Sequence, residues 1–337
     1  PSGCRLINHL KIRNIMKYTF STKKSLFIGL CAFALLTTSC IKDDMPLCSY
    51  TLKLKVENAK GDDITAATDV AATLYIFNTD NEYLGKKEMT NAQVNAYQNI
   101  VLSEYPNVQN LRIIAWCGTE GQKETVASLS EKDLIEKLQV MLKSNNSIAT
   151  APDNLYFGSD DVINNEALEL SKQAGDQVIV AKPKIGHIHI TTIGLLSSKY
   201  FKSATKANSD TNLEYYVRRT QSGFDYTGSM IGDQVSYNPP ASFTNTTTDG
   251  TTNILKAGTD EFVAETSNLL PSNSIAVDLY NNSNQLFSVN KDDNGTAFTT
   301  HEDSTLYVII RFVEGQGVLS VKAQVRPWGE VVDPHTF

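Results

Sequence analysis

The sequence predicts an all-β chain: two β-sandwich domains in tandem behind an N-terminal export segment. Three observations carry that reading. Apolar residues recur at every second position in several short runs, as they do in half-buried strands. Gly, Asn and Asp punctuate those runs, and many short strands parted by turn residues favour a sandwich. At 337 residues, the chain can hold two domains of about 100–200 residues, each with its own core.

The export segment comes first. Lys23 and Lys24 precede an uncharged apolar run from Leu26 to Leu36, and the small residues Thr37, Thr38 and Ser39 follow. A membrane-spanning helix needs about 20 apolar residues, so this run is too short to cross. Basic flank, short apolar core and small residues together read as a secretory signal peptide within residues 1–39. Met16 is the expected start, because residues 1–15 show no periodicity of their own. Cys40 follows Ser39 directly, as in a lipoprotein signal, where the thiol is acylated and the chain is cut before it. The match has one departure: Thr37 stands where such signals usually carry Leu, and Leu36 lies one position early. An ordinary cleavage site before a free or paired cysteine is the alternative. Acyl chains anchor by about 0.8 kcal/mol for each buried CH₂, and several on one cysteine hold firmly. Residues 40–48 then form a lipidated tether.

Loss of the leader changes the charge. It contains six basic and no acidic residues, so 24 of the 30 basic side chains remain against 37 acidic ones, a formal charge of −13. Such a surface repels nucleic acid and anionic headgroups. Cysteine usage agrees with export. Cys4 and Cys31 leave with the leader and Cys40 is committed to lipid, which leaves Cys48 and Cys117 as an even pair in an oxidising compartment. They are a candidate disulfide or two buried free thiols, and spacing alone does not choose between these.

The first sandwich is expected over 49–178 and the second over 179–337. Leu52, Leu54 and Val56 alternate with Thr51, Lys53, Lys55 and Glu57, and Leu74 and Ile76 alternate within "ATLYIFN". In the second half, Ile188 and Ile190 alternate with His187, His189 and Thr191. Leu306, Val308, Ile310 and Phe312 form one run, and Leu319, Val321, Ala323 and Val325 another. Glu314-Gly-Gln-Gly317 joins those two as a hairpin. Further strands are expected at 110–117, 155–158, 213–219 and 275–280. A helix is expected at 130–143, where Leu134, Ile135, Leu138, Met141 and Leu142 fall on one side. The stretches starting at Leu52 and Ile188 share an order of alternating strand, polar loop and aromatic strand, closing on Tyr83-Leu-Gly85 and Tyr226-Thr-Gly228. That order reads as two similar domains, with chance likeness of β-rich segments as the competitor. Residues 239–253 are a Thr-rich low-complexity loop.

Catalytic chemistry is poorly supplied. His187 and His189 share a strand face at a spacing that can ligate zinc, but no third and fourth ligands follow, so a solvent-facing position is expected. Asp62-Asp63, Asp160-Asp161 and Asp292-Asp293 read as solvated turn residues, because "NKDDNGT" lacks the spacing of a calcium loop. No nucleophile elbow, zinc-protease motif or phosphate loop is present, and Cys117 has no identifiable base. The expectation is a non-enzymatic protein with no cofactor and no metal. Tyr215, Tyr216, Phe224 and Tyr226 are the candidate aromatic platform if the chain binds glycans, although core packing accounts for aromatic residues in strands more simply.

The Cys40 signal, "CIKDDMPLC", "LRIIAWCG", "LYFGS" and the closing "VRPWG" together resemble the fimbrillin-associated anchor lipoproteins of Bacteroidetes, over Cys40 to Trp328. Lys42, Asp43 and Asp44 resemble the acidic surface-export signal of lipoproteins from that group. The resemblance implies two transthyretin-like sandwiches at the base of a type V pilus, with Cys40 lipidated and a fimbrial subunit as partner. Polymerising relatives lose a first strand to a protease and accept a neighbour's strand in its place, a form of β-augmentation. An anchor keeps its N-terminus, so "YTLKLKV" is expected to stay as a strand. No Arg lies between Cys40 and Arg112, although Lys53, Lys55 and Lys60 are potential cleavage points. A stalk or tip subunit, and a surface glycan-binding lipoprotein, are the other readings.

Overall fold

The computed structural model describes residues 49–106, 108, 110–165, 176–199, 212–244, 246–248, 253–255, 261–334 and 336. Strand dominates them. The first sandwich opens with β1 (Tyr50–Val56), β2 (Ala72–Phe77), β3 (Tyr83–Met89), β4 (Ile100–Leu102) and β5 (Asn110–Cys117). A segment of four short strands follows: β6 (Glu124–Val126), β7 (Val140–Leu142), β8 (Ser144–Asn145) and β9 (Ile148–Ala149). With β10 (Tyr156–Ile163) and β11 (Gln177–Pro183), the first sheet runs β3-β2-β5-β10-β11-β1-β4. It curls at β11, which pairs with β10 through Pro183 and Lys182 and with β1 through Gln177 to Ala181. The boundary expected at 178/179 therefore falls inside a strand of the first sheet, and the division is drawn after Pro183 instead.

The second sandwich holds β12 (Gly186–Ile193), β13 (Leu213–Phe224), β14 (Met230–Tyr237), β15 (Ala241–Phe243), β16 (Thr246–Thr248), β17 (Asn253–Leu255) and β18 (Glu261–Leu269). It closes with β19 (Ser272–Asn281), β20 (Asn284–Val289), β21 (Phe298–Thr300), β22 (Ser304–Phe312) and β23 (Val318–Pro327). One sheet runs β15-β18-β12-β22-β23, and the facing one is built on β20-β19-β13-β14. The internal repeat has a structural counterpart in the first strand of each half. β1 pairs parallel with β11 and antiparallel with β4, while β12 pairs parallel with β22 and antiparallel with β18. The Tyr-x-Gly endings are not equivalent, because Tyr83 opens β3 and Tyr226 sits in the turn after β13.

The two halves are joined by more than a linker. β7 pairs with Gly223 and Phe224 of β13, and Ile148 of β9 pairs with Ser236 of β14, so a loop of the first half extends a sheet of the second. This overturns the helix expected at 130–143. Lys132 has a left-handed backbone (φ 69), Ile135–Lys137 makes one 3-10 turn, and Leu134 is 56% exposed. Leu138, Val140 and Leu142 alternate and are buried. A short apolar run satisfies both periods, and strand pairing decides it. The helix that does form, Asn91–Asn95, begins with a reciprocal capping box between Thr90 and Gln93, a Thr-x-x-Gln signal legible in sequence.

Two cores result. One lies inside the first sandwich and takes Leu52, Leu54, Leu74, Ile76, Ile113 and Ala115. The other is shared, because Tyr75, Ile114 and Trp116 on the opposite face of the same strands pack with Ile188, Phe224 and Leu306.

Candidate anchoring strand and the cleft between the domains

β1 is the element nearest the expected lipid, and it is fully built into the fold. Tyr50, Leu52, Leu54 and Val56 are each no more than 1% exposed. Lys53 and Lys55 point the other way, to Asp176 (2.5 Å) and Glu57 (2.9 Å). The Tyr50 hydroxyl donates to the Val108 carbonyl, and burial pushes its pKa up to about 12. At the other end Thr65 Oγ1 accepts from Val56 N at 2.7 Å. Asn165 N donates to the Ser49 carbonyl (2.8 Å) and its Nδ2 to Ser49 Oγ (3.0 Å). Of the three candidate cleavage points, Lys53 and Lys55 lie within a paired strand, while Lys60 is exposed in the following turn. Cys40, Lys42, Asp43, Asp44 and Cys48 lie outside the described residues. Eight residues link Cys40 to Ser49, a reach of about 30 Å when extended.

Strand register gives the first sandwich two poles. Tyr50 pairs with Leu102, and Asn110 with Ile163, at the pole where Ser49 enters; Cys117 pairs with Ala72 and Tyr156, which in turn faces Pro183, at the other. Cys117 is thus a strand's length from Ser49, about 20 Å at 3.3 Å per residue, against less than 7 Å between the Cα atoms of a disulfide. It is a buried free thiol that burial pushes well above the ordinary thiol range. Cys48 lies outside the described residues, so its pairing with Cys117 stays an expectation. The second sandwich begins at the Cys117 pole, three residues past Pro183, so the tether and the second domain leave the first from opposite ends.

Two glycines of the sequence motifs are explained here. A Cβ on Gly158 of "LYFGS" would lie 2.5 Å from the Val180 carbonyl oxygen, where β10 meets β11. Gly118 of "LRIIAWCG" has φ +83, and a Cβ there would lie 2.1 Å from the Asn154 oxygen. Close backbone approach and positive φ both demand glycine.

The outward face of β12 is not open to solvent, which corrects the position expected for the histidines. The C-terminal segment folds back over it: Tyr307 OH donates to the Glu330 carbonyl (2.7 Å) and Arg311 Nη2 to that of Pro334 (2.8 Å). Trp328 packs on His187 with ring centres 3.3 Å apart. His187 is 3% exposed and its Nδ1 has no hydrogen-bond partner among the described residues; His189 lies against Tyr307. Burial lowers the His187 pKa from 6.5 to about 4. The folded state then keeps the ring neutral while the unfolded chain protonates it. This contribution is intact above pH 6.5 and is lost as pH falls from 6.5 toward 4, by up to about 3 kcal/mol. His187→Gln is expected to flatten that part of the stability curve in urea melts across pH 4–7; an unchanged slope would remove His187 as its source.

The remaining expected residues scatter. Asp63 accepts from Thr65 and Tyr97, and Asp292 accepts from Asn294 and Thr296 in a turn. Asp160 and Asp161 lie in β10 rather than a turn, where Asp161 pairs with Arg112 on β5 (2.9 Å). Tyr215 and Phe224 are core residues, so the aromatic platform reduces to Tyr216, which meets Tyr280 edge-on, and the separate Tyr226. Among the described residues no three His, Cys, Asp or Glu side chains gather as metal ligands, and no helix is long and apolar enough to cross a membrane.

Sequence reasoning missed a cleft of about 240 Å³ where the two sandwiches meet, lined by Asn58, Lys60, Asn154, His187, Asp303 and Trp328 among others. Its residues come from five separate segments, so no local motif announces it.

Comparison with known proteins agrees with this architecture. The model of the family of fimbrillin-A associated anchor proteins Mfa1 and Mfa2 matches residues 45–334. No curated protein matches the chain. Among solved structures, a candidate adhesin from Bacteroides ovatus is 13% identical with a TM-score of 0.59, covering 86% of this chain and 96% of that one. A candidate polysaccharide-binding protein from Bacteroides thetaiotaomicron VPI-5482 is 16% identical with a TM-score of 0.58, covering 85% and 98%. The fimbrial anchor protein Mfa2 from Porphyromonas gingivalis is 11% identical with a TM-score of 0.53, covering 82% and 98%. At these identities the likeness is one of fold.

Proposed function

Because the chain belongs to the family of fimbrillin-A associated anchor proteins, we propose that it fixes the base of a fimbria to the outer membrane through a lipid on Cys40 and limits the fibre's length. The observation that carries this reading is β1. A strand-accepting subunit must lack its first strand, leaving apolar pockets and backbone partners for a donor. Here all four inward side chains of β1 are buried, and its backbone pairs with β4 from Tyr50 to Leu52 and with β11 from Leu52 to Val56, so that groove is already occupied by the strand next to the tether. Growth by strand exchange then stops at this subunit on the membrane side.

The fimbrial subunit docks by strand addition on the second domain, away from the tether. β23 is a ten-residue strand at a sheet edge. Asp293 occupies one point of that edge, donating to the Val321 carbonyl and accepting from its N–H at 2.9 Å. Among the described residues, the strand from Lys322 to Arg326 pairs with β22 alone, and unpaired edges of this kind take up extended segments. The role is structural, with no catalytic step.

The test compares cells carrying the native protein with cells carrying Cys40→Ala exported through a generic signal. Electron microscopy should show attached filaments lost and long fibres shed into the medium. Unchanged filaments, with the protein merely released, would exclude the anchoring role.

A further inference from the structure

The cleft between the sandwiches has a composition that anchoring does not use. Asp303 stands at its centre and ties three segments together. Its N–H donates to the Ile185 carbonyl (2.8 Å), its carbonyl accepts from Trp328 N (3.1 Å), and its Oδ2 accepts from Ala59 N (2.8 Å). Among the described residues its Oδ1 has no hydrogen-bond partner. Asn154 is in the same position: its Oδ1 accepts from Asn268 at 3.3 Å, leaving both protons of Nδ2 unused. Asn58 is committed within its own turn, to Lys60 N, Asp62 N and the Asp62 carboxylate. The Lys60 amine makes no ion pair among the described residues. Trp328 is 50% exposed, yet its ring is held in place against His187.

The lining selects by elimination. An apolar ligand would leave the Asp303 carboxylate and the Asn154 amide unpaired, which costs about 1–3 kcal/mol for each such group. An anion would meet Asp303, and a cation Lys60. A metal ion would find one carboxylate where several oxygen ligands are needed. What suits a tryptophan ring beside one acceptor and one amide donor is a neutral ring with an apolar face and hydroxyl edges. The volume, below the roughly 300–1,000 Å³ of drug-sized sites, suits one such ring with its neighbour outside.

We propose that this cleft binds a neutral saccharide, one pyranose stacked against Trp328 with its hydroxyls donating to Asp303 and accepting from Asn154. The site lies at the pole of the first domain remote from the tether, so it stays open when the protein is anchored, and the proposal does not depend on the fimbrial role.

The test is saturation-transfer difference NMR on the intact protein with glucose, galactose, mannose, N-acetylglucosamine and disaccharides of each, and with glucuronic acid as the charged comparator. At least one neutral sugar should show saturable transfer. Trp328→Ala should weaken it at least about tenfold, and Asn154→Ala should weaken it severalfold with the thermal midpoint unchanged. Because Trp328→Ala also uncovers His187, Trp328→Phe serves as the second variant and should retain a weaker signal. No saturable transfer from any neutral sugar, transfer from glucuronic acid alone, or transfer that survives both Trp328→Ala and Asn154→Ala would each overturn the proposal.

Discussion

Trp116→Ala is expected to cost about 3–5 kcal/mol, the range for removing a buried large aromatic side chain. Trp116 is fully buried on β5, facing away from the first domain's own core, with Phe157 at 5.0 Å and Phe224 of the second domain at 5.5 Å between ring centres. Its loss opens a void on both sides of the joint, and packed surroundings collapse into such voids only partly. Trp116→Phe should be much milder. Among the described residues the indole Nε1–H has no partner, and an unpaired buried donor is itself destabilising by about 1–3 kcal/mol, so the smaller ring offsets part of its lost contact. Urea melts followed by near-UV signal and by proteolysis of each half give a second readout. The alanine variant should show the halves unfolding at separate midpoints, where the native protein unfolds as one. A cost under about 0.5 kcal/mol, the level of ordinary surface changes, would mean that the shared core does not couple the domains.

That shared core was partly legible in the sequence. The run Ile113-Ile114-Ala115-Trp116-Cys117 is apolar without alternation, the signature of a strand covered on both faces. What covers the second face is not local information. The same limit explains the histidines, since alternation correctly puts His187 and Ile188 on opposite faces, but a segment 140 residues later in the chain decides which face meets water. β1 declares itself because one face is buried and period two is clean, whereas β2 and β22 are covered on both faces and show as apolar runs, and β12 alternates in sequence although its second face is covered too. β6 to β9 do not, because strands of two or three residues show no period: β7 and β9 owe their form to pairing with β13 and β14, and β6 and β8 to pairing with β7 and β9. At the candidate anchoring site, strand β1 was legible residue by residue, whereas the inter-domain cleft was not, since it arises from segments that only the fold brings together.

Leu54→Ala tests whether β1 bears the structural load that anchoring requires, and it is expected to destabilise the protein by about 2–5 kcal/mol. Leu54 is 1% exposed at the middle of β1, opposite Ile179 of β11 in parallel register. Any pull transmitted from a fibre to a lipid on Cys40 passes along this strand. Its backbone bonds to β11 and β4 lie across that direction, so sliding it out strains many of them together rather than one at a time. The side-chain row beneath holds the strand in register, because a slip of one residue would turn every leucine outward. Lys53→Ala is the control: its partner Asp176 is exposed, and surface ion pairs contribute about 0–1 kcal/mol. Denaturant midpoints should therefore separate the two neighbouring positions clearly. In cells, Leu54→Ala should release fibres under shear, on the proposal that a lipid on Cys40 holds the base. If Leu54→Ala matches Lys53→Ala in both assays, the groove is not held closed by β1, and the argument that strand exchange stops at this subunit fails with it.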